Sequence, residues 1–152
     1  MRHPTRAAGR PPLKFETLRH LAWFRYRVRC FLRFSERAAR SCRVTPQQHQ
    51  LLLGVAGYTG RGWATISELA EFLQERHNAV VGLVQRAPAR GLVRKLPGQR
   101  DRRFVKVYLT RQGTSLLTRI SRMNIAELRD LQFEIMKSPA SPPPDIPAAR
   151  GA

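Results

Sequence analysis

"KLPGQRDRRFVKVYLT", residues 95–110, decides the fold. Two β-prone runs, residues 92–96 and 104–109, flank a tip of Gly, Gln, Arg and a single Asp. In the second run Val105, Val107 and Leu109 alternate with Phe104, Lys106 and Tyr108. A period of two marks a half-buried strand, so the stretch predicts a β-hairpin. Its tip carries Arg100, Arg102 and Arg103 around Asp101. Solubility needs only a polar tip, and this one is loaded with cation. It asks for an anion to meet.

Outward from the hairpin, helical patterns dominate. In "RHNAVVGLVQRAPARG" Val80, Leu83, Val84 and Ala87 share one face, and Arg76, His77, Asn78, Val81 and Gln85 take the other side. Pro88 predicts an end or kink there. In "ATISELAEFL" Thr65 and Glu68 form a capping box before the stripe Leu69, Ala70 and Leu73. "VTPQQHQLLLGVAG" repeats the device with Thr45, Pro46 and Gln48, Gly57 is the expected stop, and "GYTGRG" reads as a loop. Residues 15–43 contain no Gly or Pro, and Leu21, Phe24, Val28, Phe31, Ser35, Ala38 and Cys42 follow spacings of three and four. That is one apolar seam on a helix too long for a small domain to cover, which predicts a partner helix. Beyond the hairpin, Thr110 is placed to cap a helix whose seam is Leu117, Ile120, Asn124, Leu128, Leu131 and Ile135.

Lys+Arg number 28 against 10 Asp+Glu, a formal net charge of +18 and a pI near 11.7. Such a field favours a polyanion, above all nucleic acid. No run of eighteen apolar residues occurs, so no membrane span is expected, and the start lacks the apolar region of a secretory signal. Cys30 and Cys42 on one helix would stand about 18 Å apart, too far for a disulfide, which fits a reducing compartment. His49 and His77 have no Cys, His or acid grouped with them, so neither a metal nor another cofactor is expected. Carboxylates are few, and neither a nucleophilic triad nor a phosphate-cradling loop is evident, so catalysis is not expected.

Helix, short helix, turn, helix and charged hairpin is the order of a winged helix-turn-helix. Its second helix enters the major groove of double-stranded DNA, and an arginine-tipped wing suits the narrow, negative minor groove. Residues 66–110 resemble the MarR family of bacterial regulators, through "ISELAEFL", "VVGLVQRAPARGLV" and above all "DRRFVKVYLT". The last fits the family's wing pattern at Asp101, Arg103, Val107, Leu109 and Thr110, and "TPQQHQLLL" resembles the segment before the helix-turn-helix.

The resemblance implies a mostly α fold with a small β-hairpin wing and long flanking dimerisation helices. It implies a homodimer that binds a palindromic operator, a repressor working in the bacterial cytoplasm. Arg103 and Arg102 would enter the minor groove, with Asp101 fixing the wing. A small aromatic or phenolic ligand would sit near Trp23, Phe24, Arg27 and Phe31, although the three aromatic rings read first as dimer core and only second as a pocket. The cysteines resemble those of redox-sensing relatives, though buried Cys often acts as a small hydrophobe. The chain then divides into a disordered basic arm (1–12), a dimerisation helix (13–44), a winged domain (45–110), C-terminal dimerisation helices (111–137) and a disordered Pro-rich tail (138–152). Ala79, Val81 and Gly82 depart from the family's hydroxyl and basic residues on the second helix. The alternative is a basic architectural protein that coats DNA with little sequence preference and no ligand.

Overall fold

The computed structural model describes residues 12–86, 91–97 and 105–136. The long first helix is present as α1, Phe15–Ser41, and ends where Arg43 turns to a left-handed φ of 60°. Only its C-terminal part reaches a core: Ala38 and Ala39 are buried. Leu21 and Phe24, on the expected seam, are 51% and 46% exposed.

Both capping boxes form. Gln48 N–H donates to Thr45 Oγ1, and Thr45 N–H donates to Gln48 Oε1, each at 3.1 Å, opening α2, Pro46–Leu53. The expected stop at Gly57 does not hold, because the chain continues as a π-helical turn, Gly54–Tyr58. The α-helix itself closes at Gly54, where close packing demands glycine: a Cβ there would stand 2.8 Å from Phe72 Cδ1. The expected loop, residues 57–62, loses Gly57 and Tyr58 to the π-helical turn, and directly after it Trp63–Thr65 form a strand, β1, that the sequence did not predict. Three residues cannot display a period, and only their pairing across the sheet makes them a strand. Thr65 and Glu68 then cap α3, Ile66–Leu73, and α4 spans His77–Arg86. Ala87 and Pro88 lie outside the described residues.

β2, Val93–Pro97, starts one residue later than read; β3 is described as Val105–Leu109, and Phe104 lies outside the described residues. The sheet is antiparallel with order β1-β3-β2. α5, Arg111–Met136, is one continuous helix among the described residues, capped by Thr110 Oγ1, which accepts from Gly113 N–H at 3.0 Å. On its seam Leu117, Ile120, Asn124 and Leu131 are buried, while Leu128 is 39% exposed. Nothing of the Ile135 side chain is described. Leu51, Leu52, Val55, Leu69, Val80, Val84, Val107 and Ile120 are the largest fully buried side chains, and Ala39 of α1 and Ala64 of β1 are fully buried with them. The result is the expected mostly helical winged helix-turn-helix.

His49 of α2 is 3% exposed, and its Nε2 is buried without a hydrogen-bond partner. Beside it lie Leu32, Ser35 and Glu36 of α1, with Pro46 and Gln50 of α2. Burial pushes the imidazole pKa below its ordinary 6.5. The unfolded chain then binds the proton more readily, so stability is full above the unfolded pKa and falls as pH drops through it. Thermal midpoints are expected to fall between about pH 7 and pH 5, and to fall less in His49→Leu. Parallel pH curves for the two proteins would show that His49 does not carry the effect.

Candidate nucleic-acid interface

The turn between α3 and α4 is set by backbone hydrogen bonds. Gln74 takes a left-handed φ of 54°, its N–H donates to Glu71 O, and Glu75 N–H donates to Ala70 O at 3.0 Å. Arg76 O then accepts from the N–H groups of Ala79 and Val80 at 2.9 and 3.2 Å, starting α4. Val80 and Val84 face the core, which fixes what faces outward. His77, Asn78 and Gln85 of the expected base readers are exposed on the helix, Arg76 is exposed just before it, and Val81 is half-buried on a flank.

Two residues not expected there complete the outer face. Gly82 lies two positions from both Val80 and Val84, about 200° around the helix from each. Arg86, also exposed, folds back over it: a Cβ on Gly82 would stand 3.3 Å from Arg86 Nη1. Asn78, Gly82 and Arg86 also line a cleft of about 250 Å³ with Gln47 and Gln50 of α2. Gly82 was visible in the sequence as a departure from the family pattern, but Arg86's path depends on its rotamer.

The outer face of the sheet is basic as well. Register places Trp63, Tyr108 and Arg94 in one row across three strands. The Arg61 guanidinium lies 4.0 Å and Lys106 Nζ 4.4 Å from the Trp63 ring, and Arg94 lies 5.0 Å from the Tyr108 ring. Cations over rings keep their charge toward solvent while their stems pack. Arg61 Nη2 also donates to Glu68 Oε1 at 2.5 Å. The Thr65 N–H above all, then Arg61 and the Thr65 hydroxyl, hold the Glu68 carboxyl below the usual carboxylate range. The tip residues Arg100, Asp101, Arg102 and Arg103 lie outside the described residues.

Of the expected ligand residues, Trp23 packs against Tyr26 with ring centroids 5.4 Å apart. Phe24 is exposed and Phe31 half-buried, and Arg27 Nε is buried without a hydrogen-bond partner. A groove of about 830 Å³ lies elsewhere, walled by Cys42, Arg43, Leu92, Gln112, Arg119 and Arg122 among others. Both cysteines are free. Among the described residues no helix is long and apolar enough to cross a membrane, and no three His, Cys, Asp or Glu could hold a metal ion.

Residues 44–103 match the MarR family model, which bears out the resemblance read from the sequence. No curated protein sequence matches the chain. Solved structures do. The chain is similar to AbsC, a MarR family transcriptional regulator from Streptomyces coelicolor, with a TM-score of 0.68 and 16% identity over 84% of this chain and 85% of that one. A variant of MepR from S. aureus, bound to an oligodeoxyribonucleotide, matches with a TM-score of 0.58 and 17% identity over 84% and 86%. BpsR of Bordetella bronchiseptica, whose DNA binding is regulated by 6-hydroxynicotinic acid, matches with a TM-score of 0.58 and 20% identity over 79% and 83%. At these identities the likeness is one of fold.

Proposed function

We propose that the chain is a transcriptional regulator of the MarR type, a homodimer that binds a palindromic operator in duplex DNA and acts as a repressor. One observation carries this reading: a helix-turn-helix whose second helix turns Asn78, Gln85 and Arg86 outward, followed directly by a basic hairpin. Phosphate contacts from the wing would set position and affinity, and α4 would choose the sequence. The DNA-bound MepR variant supports the partner. BpsR supports a small aromatic effector, for which Trp23, Phe24, Arg27 and Phe31 are the residues proposed. An effector that favours a spacing of the two lobes unsuited to DNA would weaken binding by shifting the population.

Selection from a random duplex pool tests the function. Enrichment of an inverted repeat is the expected result, and enrichment of no motif would instead establish an architectural protein that coats DNA. The wing has its own prediction. Arg103→Ala should weaken binding to all sequences alike and reduce the salt-dependence slope by about one unit. An unchanged slope and affinity in salt-titrated gel shifts would remove Arg103 from the interface.

A further inference from the structure

Gly82 is a costly residue where it stands. Glycine is the poorest helix former after proline, and this one sits inside the ten-residue α4. Nothing in the fold asks for it. Its φ is not among the positive values, and beyond the helix's own backbone the three atoms nearest to where a Cβ would be all belong to the Arg86 guanidinium. Gly113, by contrast, faces a backbone carbonyl. A mid-helix glycine without an internal reason points to a close approach from outside.

Arg86 supplies the second observation. It occupies the last turn of α4, whereas base contacts in helix-turn-helix proteins come mainly from the N-terminal part of the second helix. Lying back over Gly82, with Nη1 3.3 Å and Cζ 3.9 Å from where a Cβ would be, the guanidinium is carried about one helical turn, 5.4 Å, toward that part. A methyl group at 82 would stand in this path.

Resting on the DNA-binding reading above, we propose that Gly82 and Arg86 form the specificity centre of α4. Gly82 is the point of closest approach to the floor of the major groove, and Arg86, laid across it, reads a guanine in each half-site. The chemistry suits that base, since a planar guanidinium can donate two parallel hydrogen bonds to guanine O6 and N7, which lysine cannot reproduce.

Full-length wild type, Gly82→Ala and Arg86→Lys are compared by selection from a random duplex pool and by titration on the wild-type motif and on unrelated duplex. Gly82→Ala should melt a few degrees higher than wild type, as a Gly-to-Ala change does inside a helix when the one close neighbour is the movable end of an arginine. It should nevertheless bind the selected motif roughly 10-fold more weakly, with binding to unrelated duplex unchanged. Arg86→Lys keeps the charge and should lose the preference for guanine at one position of each half-site. If the wild type enriches a motif and both variants enrich it equally with wild-type affinity, the proposal is overturned. A change in only one variant overturns the pairing of the two residues. If the wild type enriches no motif, the underlying DNA-reading function fails first, an outcome distinct from either.

Discussion

Gly113→Ala is expected to lower the thermal midpoint by roughly 10 °C, although alanine is the better helix former. The cause is a backbone contact. A Cβ at this third position of α5 would lie 2.0 Å from the carbonyl oxygen of Leu92 and 3.0 Å from its carbon. That carbonyl cannot retreat freely, because it accepts from Thr110 N–H at 3.1 Å. Thr110 Oγ1 donates to Gly91 O at 2.5 Å and accepts from Gly113 N–H. The start of α5 and the root of the wing are therefore clamped backbone to backbone, with no flexible side chain to absorb a methyl group. Overpacking a well-packed site costs about 1–3 kcal/mol, and a rigid site falls at the upper end. Melting followed by circular dichroism checks it. A midpoint within about 2 °C of wild type would mean that α5 can slide off Leu92 at little cost.

That contact illustrates which parts of the fold were legible in the sequence. Thr45 with Gln48, Thr65 with Glu68, and Thr110 are local devices, complete within three residues, and each caps the helix it was read to cap. Inward faces such as Val80 with Val84 follow from periodicity alone. What was missed depends on partners distant in the chain. Trp63–Thr65 become a strand only by pairing with β3. The need for glycine at 54 shows only once Phe72 packs on it, and Gly113 looks like an ordinary weak helix position until Leu92 is beside it. The candidate site divides in the same way. His77, Asn78 and Gln85 were placed on the outer side of α4 by spacing from the core face. Arg86 was passed over because its reach depends on a rotamer, and the row Trp63, Tyr108 and Arg94 needs strand register to be seen.

A glutamate at both Leu21 and Phe24 is expected to leave a folded monomer whose affinity for the selected palindrome is at least 100-fold lower. The reason begins with geometry. α1 has 27 residues, about 40 Å of helix, yet the hydrophobic core that joins it to the winged domain begins at Ala38. Ahead of it Leu18, Leu21 and Phe24 are 48%, 51% and 46% exposed, and on α5 Ile125 and Leu128 are 43% and 39% exposed. Apolar area of this extent on two long helices is worth about 25 cal/mol for each Å² that a second copy covers. Carboxylates buried there without partners would cost several kcal/mol apiece and break the association. The winged domain should survive, since its buried centre, including Leu51, Leu69, Val84 and Ile120, contains no residue ahead of Ala38. Each lobe then binds its half-site alone, without the effective concentration that linkage to the second lobe provides, a factor of about 10²–10⁴. Sedimentation equilibrium at micromolar concentration, with titrations on the palindrome and on a single half-site, separates the effects. Half-site affinity should be unchanged while palindrome affinity collapses. A wild-type chain that sediments as a monomer, or a monomeric variant that holds the palindrome as tightly as wild type, would refute the dimer as the unit that reads DNA.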